Sequence, residues 1–136
     1  MKRLLPLVLL AACAQKPADD AVATAFAPVR TVLETNCVHC HGDNRLSTMP
    51  PINDTQALSK LIGQHWIVPG KPETSRFFQV VTFSDETPGA MPPSGHAISK
   101  KEVQILRDWI KAGAKVPAHN VKELVAFVRT ARQKDP

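Results

Sequence analysis

Tyrosine is missing from this 136-residue chain, and with five Phe and two Trp the aromatics reach only 5%. So few large rings give a chain of this length a thin core, one that something besides protein is expected to help fill. Long apolar runs are missing too, since the run at residues 4–12 is too short to span a bilayer as a helix. No basic run follows Lys2-Arg3, so the formal charge of +5, from 17 Lys and Arg against 12 Asp and Glu, does not point to nucleic acid. Three cysteines are an odd number, which excludes a framework of internal disulfides that uses them all. No convincing strand signal and no internal repeat is present either. What is there, 43% apolar and 21% charged residues, suits one small globular domain and excludes a second large one.

The start of the chain sets two positive charges ahead of that apolar run, which ends in small residues. This is the outline of a secretory signal over residues 1–12. Leu10-Ala11-Ala12-Cys13 resembles the lipobox of bacterial lipoproteins, so Cys13 is the expected lipidation site and first residue of the exported chain. Several acyl chains make such an anchor stable, because each buried methylene contributes about 0.8 kcal/mol. Ala14, where an acidic residue often accompanies inner-membrane retention, tilts the expectation slightly toward the outer membrane. Either way the domain sits on the periplasmic side. Removing Lys2 and Arg3 also shows the basic balance to be largely a targeting feature. Residues 13–27 are small and polar with no sustained amphipathic period, and read as a tether. Pro28 is expected in the first turn of a helix whose period runs through Val29, Val32 and Leu33 into Cys37.

Cys37-Val38-His39-Cys40-His41 is C-x-x-C-H, the attachment signature of c-type haem. On a helix, positions 37, 40 and 41 share one face, so two thiols and an imidazole meet the same flat object. The thiols can form thioethers with the macrocycle while His41 coordinates iron, and His39 points elsewhere. A structural zinc site wants a fourth ligand and a second Cys pair, and a thioredoxin-like motif wants a βαβ setting. A plain disulfide is the remaining competitor. For the sixth iron ligand the preferred residue is Met91, held in Pro88-Gly89-Ala90-Met91-Pro92-Pro93 by prolines and a glycine. Met49 is the alternative, since eight residues past His41 can span about 28 Å when extended. His96 is the best substitute if Met91 fails, and His65 and His119 read as surface histidines. A carbonyl of the Pro50-Pro51 loop is expected to accept the other ring N–H of His41 and so fix the imidazole.

The rest of the chain supplies a cage of helices. Asp54 caps a helix over residues 55–62, and residues 73–83 form another that brings Phe77 and Phe78 inward. Ser99 and Glu102 make a capping box for a helix carrying Val103, Leu106, Trp109 and Ile110 and ending at Gly113. A last amphipathic helix is expected over residues 121–132.

The chain resembles small class I c-type cytochromes, and more closely the planctomycete-type cytochrome c domain. The matching residues are Cys37-Val38-His39-Cys40-His41-Gly42, then Val68-Pro69-Gly70 with Pro72 and Ser75, then Met91-Pro92-Pro93, and Trp109-Ile110 followed by Gly113-Ala114. The resemblance covers about residues 30–114. It implies an all-α, cytochrome c-like fold around one covalently bound haem c, with His41 proximal and Met91 distal. The domain is bounded at residues 28–116, with an additional helix in 117–136 to which the resemblance assigns no role. The expected function is outer-sphere transfer of single electrons between a redox donor and acceptor, by a membrane-tethered carrier rather than an enzyme. The alternatives are a haem-bearing subunit of a larger oxidoreductase, and a haem with an open axial position acting as peroxidase or ligand sensor.

Overall fold

The computed structural model describes residues 15–43, 45–93, 95–118 and 123–126. Its regular structure is helical. Among the described residues the extended pairings are two isolated bridges, Asp54 with Glu123 and Ile62 with Ile67.

The first helix, α1, spans Gln15–Asn36 and takes in most of the stretch expected to be a tether. Ala18, Ala21, Ala23, Ala25 and Ala27 explain this, because alanine is the strongest helix former and propensity prevails where periodicity is weak. Pro28 therefore lies inside the helix rather than opening it. A proline there costs about 3 kcal/mol. Burial of Phe26, Val29, Val32 and Leu33 on one face offsets that cost, at about 1.5–3 kcal/mol for each side chain.

That face packs on the last long helix, α5 (Lys100–Lys111), through Leu106, Trp109 and Ile110; numbering of the shorter helices α2 to α4 follows chain order below. The rings of Phe26 and Trp109 meet with centroids 6.0 Å apart and tilted by 57°. The capping box forms as expected. Ser99 Oγ accepts the Glu102 N–H at 3.2 Å, and the Glu102 carboxylate accepts the Ser99 N–H at 2.8 Å. Beyond Gly113 (φ 105°) the chain turns left-handed again at buried Ala114 (φ 52°), whose N–H donates back to the Trp109 carbonyl at 2.9 Å.

Three short helices complete the domain: α2 (Val38–His41), α3 (Thr55–Leu61) and α4 (Arg76–Thr82). Asp54 Oδ1 accepts the Ala57 N–H at 2.6 Å and so caps α3. The helix expected over residues 73–83 divides into a 3-10 turn at Pro72–Thr74 and α4, with Ser75 between them. Ser75 is fully buried, and its Oγ accepts the Val68 N–H and donates to the Lys71 carbonyl, both at 2.9 Å. The Gly70 N–H then donates to the Ile110 carbonyl at 2.8 Å, fastening this loop to α5.

Residues 123–126 are extended where a helix is expected. Leu124 is buried, and its N–H donates to the Asn53 carbonyl at 2.9 Å. A tertiary partner for the backbone outweighs the local amphipathic pattern here. The rest of the expected last helix lies outside the described residues.

Candidate functional site

The end of α1 delivers Cys37, whose N–H still donates to the Leu33 carbonyl at 2.8 Å. The α2 turn follows at once, with the His41 N–H on the Cys37 carbonyl at 2.9 Å. One turn thus holds Cys37, Cys40 and His41, while Val38 is buried in the core and His39 is exposed. Gly42 closes it. A Cβ at this position would stand 2.6 Å from the Val38 carbonyl oxygen, so no larger residue fits without displacing backbone.

His41 is half-buried and oriented by its neighbour in the next loop. Its Nδ1 lies 3.0 Å from the Pro50 carbonyl oxygen. A carbonyl only accepts, so Nδ1 carries the proton and Nε2 is left with its lone pair for a metal. The same loop is fastened a second time, by the Ile52 N–H on the His41 carbonyl at 2.9 Å. This is the contact anticipated for the Pro50-Pro51 segment.

Both cysteines are free thiols. Cys40 is exposed and Cys37 is half-buried as a residue. Desolvation of the Cys37 sulfur, with the charges of Glu102 and Cys40 adding to it, pushes its thiol from 9.0 up to about 12. Among the described residues no group of three or more His, Cys, Asp or Glu is arranged to hold a metal ion. The two sulfurs and the imidazole therefore do not converge on one point, as a zinc site requires. They are spaced along a turn, which fits a macrocycle gripped at two edges and ligated from one side.

Met91 stands on a different element. It is half-buried, and its N–H donates to the Val80 carbonyl of α4 at 2.8 Å. Met49 is also half-buried, with its N–H on the Leu46 carbonyl at 2.9 Å. His96 and His65 are exposed, the latter with its ring against Trp66. Cys13 and His119 lie outside the described residues.

Residues 24–110 match the family described as cytochrome C oxidase, cbb3-type, subunit III. The chain belongs to this family. No curated protein and no solved structure matches it. Membership makes this a small all-α c-type cytochrome domain that binds haem c covalently and serves haem-based electron transfer. Such a cytochrome has redox partners. Among the described residues no helix is long and apolar enough to cross a membrane.

Some contacts that build this cytochrome site escaped the sequence reading. Asn53 donates from Nδ2 to Asp43 Oδ1 at 3.1 Å, bracing the loop after His41 against the loop that orients it. No periodicity marks such a pair. Ser75, marked beforehand only through the family resemblance, carries the backbone turn before α4; by residue type alone it is one serine among six.

Proposed function

We propose that this protein is a lipid-tethered, periplasm-facing mono-haem cytochrome that carries single electrons between a donor and an acceptor protein. Cys37 and Cys40 hold the haem by thioethers, His41 Nε2 is the proximal ligand, and Met91 is the distal one. Cys13 is the lipidated residue, and the outer membrane is slightly favoured over the inner. The observation that carries this reading is the single turn presenting Cys37, Cys40 and His41, with the His41 ring fixed by the Pro50 carbonyl.

When bound, the haem iron supplies a one-electron ferric–ferrous couple. The chain's own residues set the conditions for it. Pro50 holds the His41 Nδ1 proton, which makes the ring a stronger donor and keeps its plane fixed between oxidation states. Gly42 lets the turn that carries Cys37, Cys40 and His41 close against the Val38 carbonyl. The backbone tie from Met91 to Val80 fastens the methionine's loop to α4, so that His41 and Met91 would hold the haem from separate elements. A thioether in that position raises the potential and closes the iron to outside ligands.

An absorption spectrum of the protein matured in a periplasm tests the reading. Covalent haem that survives acid extraction is expected, and its absence overturns it. Rapid carbon monoxide binding at neutral pH would refute the methionine ligand. Cys13→Ser is expected to release the protein from membranes, and retention would refute the anchor.

A second reading is favoured by the family's description as an oxidase subunit. In it the same haem domain relays electrons within a larger oxidoreductase. Gentle solubilisation separates the two, because a carrier migrates alone and a subunit migrates with its complex.

A further inference from the structure

Beyond the last residue of the family match, the chain returns to the proximal side of the site as a short strap. Residues 123–126 lie between α1 and the loop that orients His41. On the loop side, the Leu124 N–H donates to the Asn53 carbonyl at 2.9 Å, and Glu123 bridges Asp54. On the helix side, Arg30 Nη2 donates to the Glu123 carbonyl at 2.9 Å, and Glu34 Oε1 accepts the Val125 N–H at 3.2 Å. Arg30 and Glu34 are themselves paired at 2.9 Å, so the two pins form one unit on α1. Between the pins Leu124 is buried at 3% exposure, whereas Val125 beside it is 60% exposed. An upstream pin, the Ala118 N–H on Asp19 Oδ1 at 2.8 Å, holds the approach of this segment to α1.

The loop so clamped is the one that fixes the histidine. Asn53 directly follows Ile52, whose N–H is on the His41 carbonyl, and lies three residues after Pro50, whose carbonyl holds His41 Nδ1. Asn53 also bonds Asp43, two residues past His41. Hydrogen bonds and short stretches of backbone therefore connect Arg30 and Glu34 through the strap and residues 50–53 to the histidine ring.

We propose that Leu124 and the Arg30–Glu34 pair are positioning residues for His41. By clamping residues 50–54 from behind, they hold the Pro50 carbonyl on Nδ1 and so tune the donor strength of the proximal imidazole. The proposal rests on the reading of His41 as the iron ligand. Its direction follows from the chemistry. Loosening the loop weakens the hydrogen bond that Nδ1–H donates to the Pro50 carbonyl, makes the ring a poorer donor to iron, stabilises the ferric state less, and raises the reduction potential.

The test uses the full-length holoprotein with Leu124→Ala, Arg30→Ala and the conservative Leu124→Met. Three readouts are taken: reduction potential, ferric electron paramagnetic resonance, and amide exchange at Ile52 with Gly70 as control. Leu124→Ala and Arg30→Ala are expected to shift the potential upward and to broaden or split the low-spin ferric signal. They are also expected to speed Ile52 exchange about ten-fold or more relative to Gly70, while Leu124→Met restores wild-type values. Arg30→Ala keeps the test open if Leu124→Ala fails to fold, since the leucine anchor stays in place. Unchanged potential and ferric signal in the folded variants, with only a lower melting temperature, would overturn the proposal by making the strap a stabiliser alone. A wild-type ferric spectrum indifferent to His41→Gly would instead overturn the ligand assignment, and that outcome is read on a different variant.

Discussion

Cys37 and Cys40 are three residues apart and chemically unlike. Burial pushes the Cys37 thiol up to about 12, so in the polypeptide without haem it stays protonated at neutral pH, while Cys40 is exposed. Alkylation of that polypeptide at pH 8 is expected to modify Cys40 well before Cys37, as mass spectrometry of the tryptic fragments would show. The raised value also sets a pH dependence. The folded chain holds this proton more tightly than the unfolded one, so the contribution to stability is complete below about 9 and is lost as the pH rises toward about 12. Denaturant midpoints of the haem-free chain should fall across that window, and the fall should vanish in Cys37→Ala. Ser75 supplies a second prediction. Its replacement by alanine strands the Val68 N–H, at a cost of about 1–3 kcal/mol by chemical denaturation. The C-x-x-C-H chemistry and the carbonyl on His41 were legible from residue types and spacing. The buried environment of Cys37 was not, because desolvation belongs to whatever packs around the sulfur.

At the scale of elements, the helices with strong local signals appear where their patterns place them. Asp54 caps α3 and the Ser99–Glu102 box starts α5, since both depend on side chains within one turn. Two elements differ from expectation for opposite reasons. α1 extends through residues 15–27 because alanine content suffices without an amphipathic stripe, and residues 123–126 are extended because Asn53 and Asp54 offer a backbone partner. The position of Pro28 inside α1 is directly testable. Pro28→Ala restores a donor to the Thr24 carbonyl and removes a helix-interior proline, so stability should rise by up to about 3 kcal/mol in urea titration. A loss of stability would place the start of the helix at Pro28 instead.

Across the whole molecule, the packing has two parts, the α1–α5 pair and the short elements around the C-x-x-C-H turn. The α1 and α5 faces bury Phe26, Val29, Leu33, Leu106, Trp109 and Ile110 on one another. The α2 turn and the Pro50 loop reach that core through Val38 and Ile52 and through several hydrogen bonds, and the Met91 segment through its backbone bond to Val80. Cys37→Ala with Cys40→Ala removes the covalent attachment. The resulting chain is expected to keep a helical far-ultraviolet signal while losing at least about 3 kcal/mol of stability, the contribution of a ligand present at a hundred times its dissociation constant. Equal stability with and without haem would show that the protein core alone holds the site.

The cofactor chemistry, the all-α class and the starts of α3 and α5 could be read from residue types and spacing, because attachment motifs and capping side chains act over one or two turns. Which groups surround the motif follows from how the chain folds over it. The Asn53–Asp43 brace, the buried Ser75 hinge and the strap pinned by Arg30 and Glu34 join residues far apart in the chain. Contacts between residues distant in the chain depend on where the backbone passes, which is why these emerge only once the chain is folded.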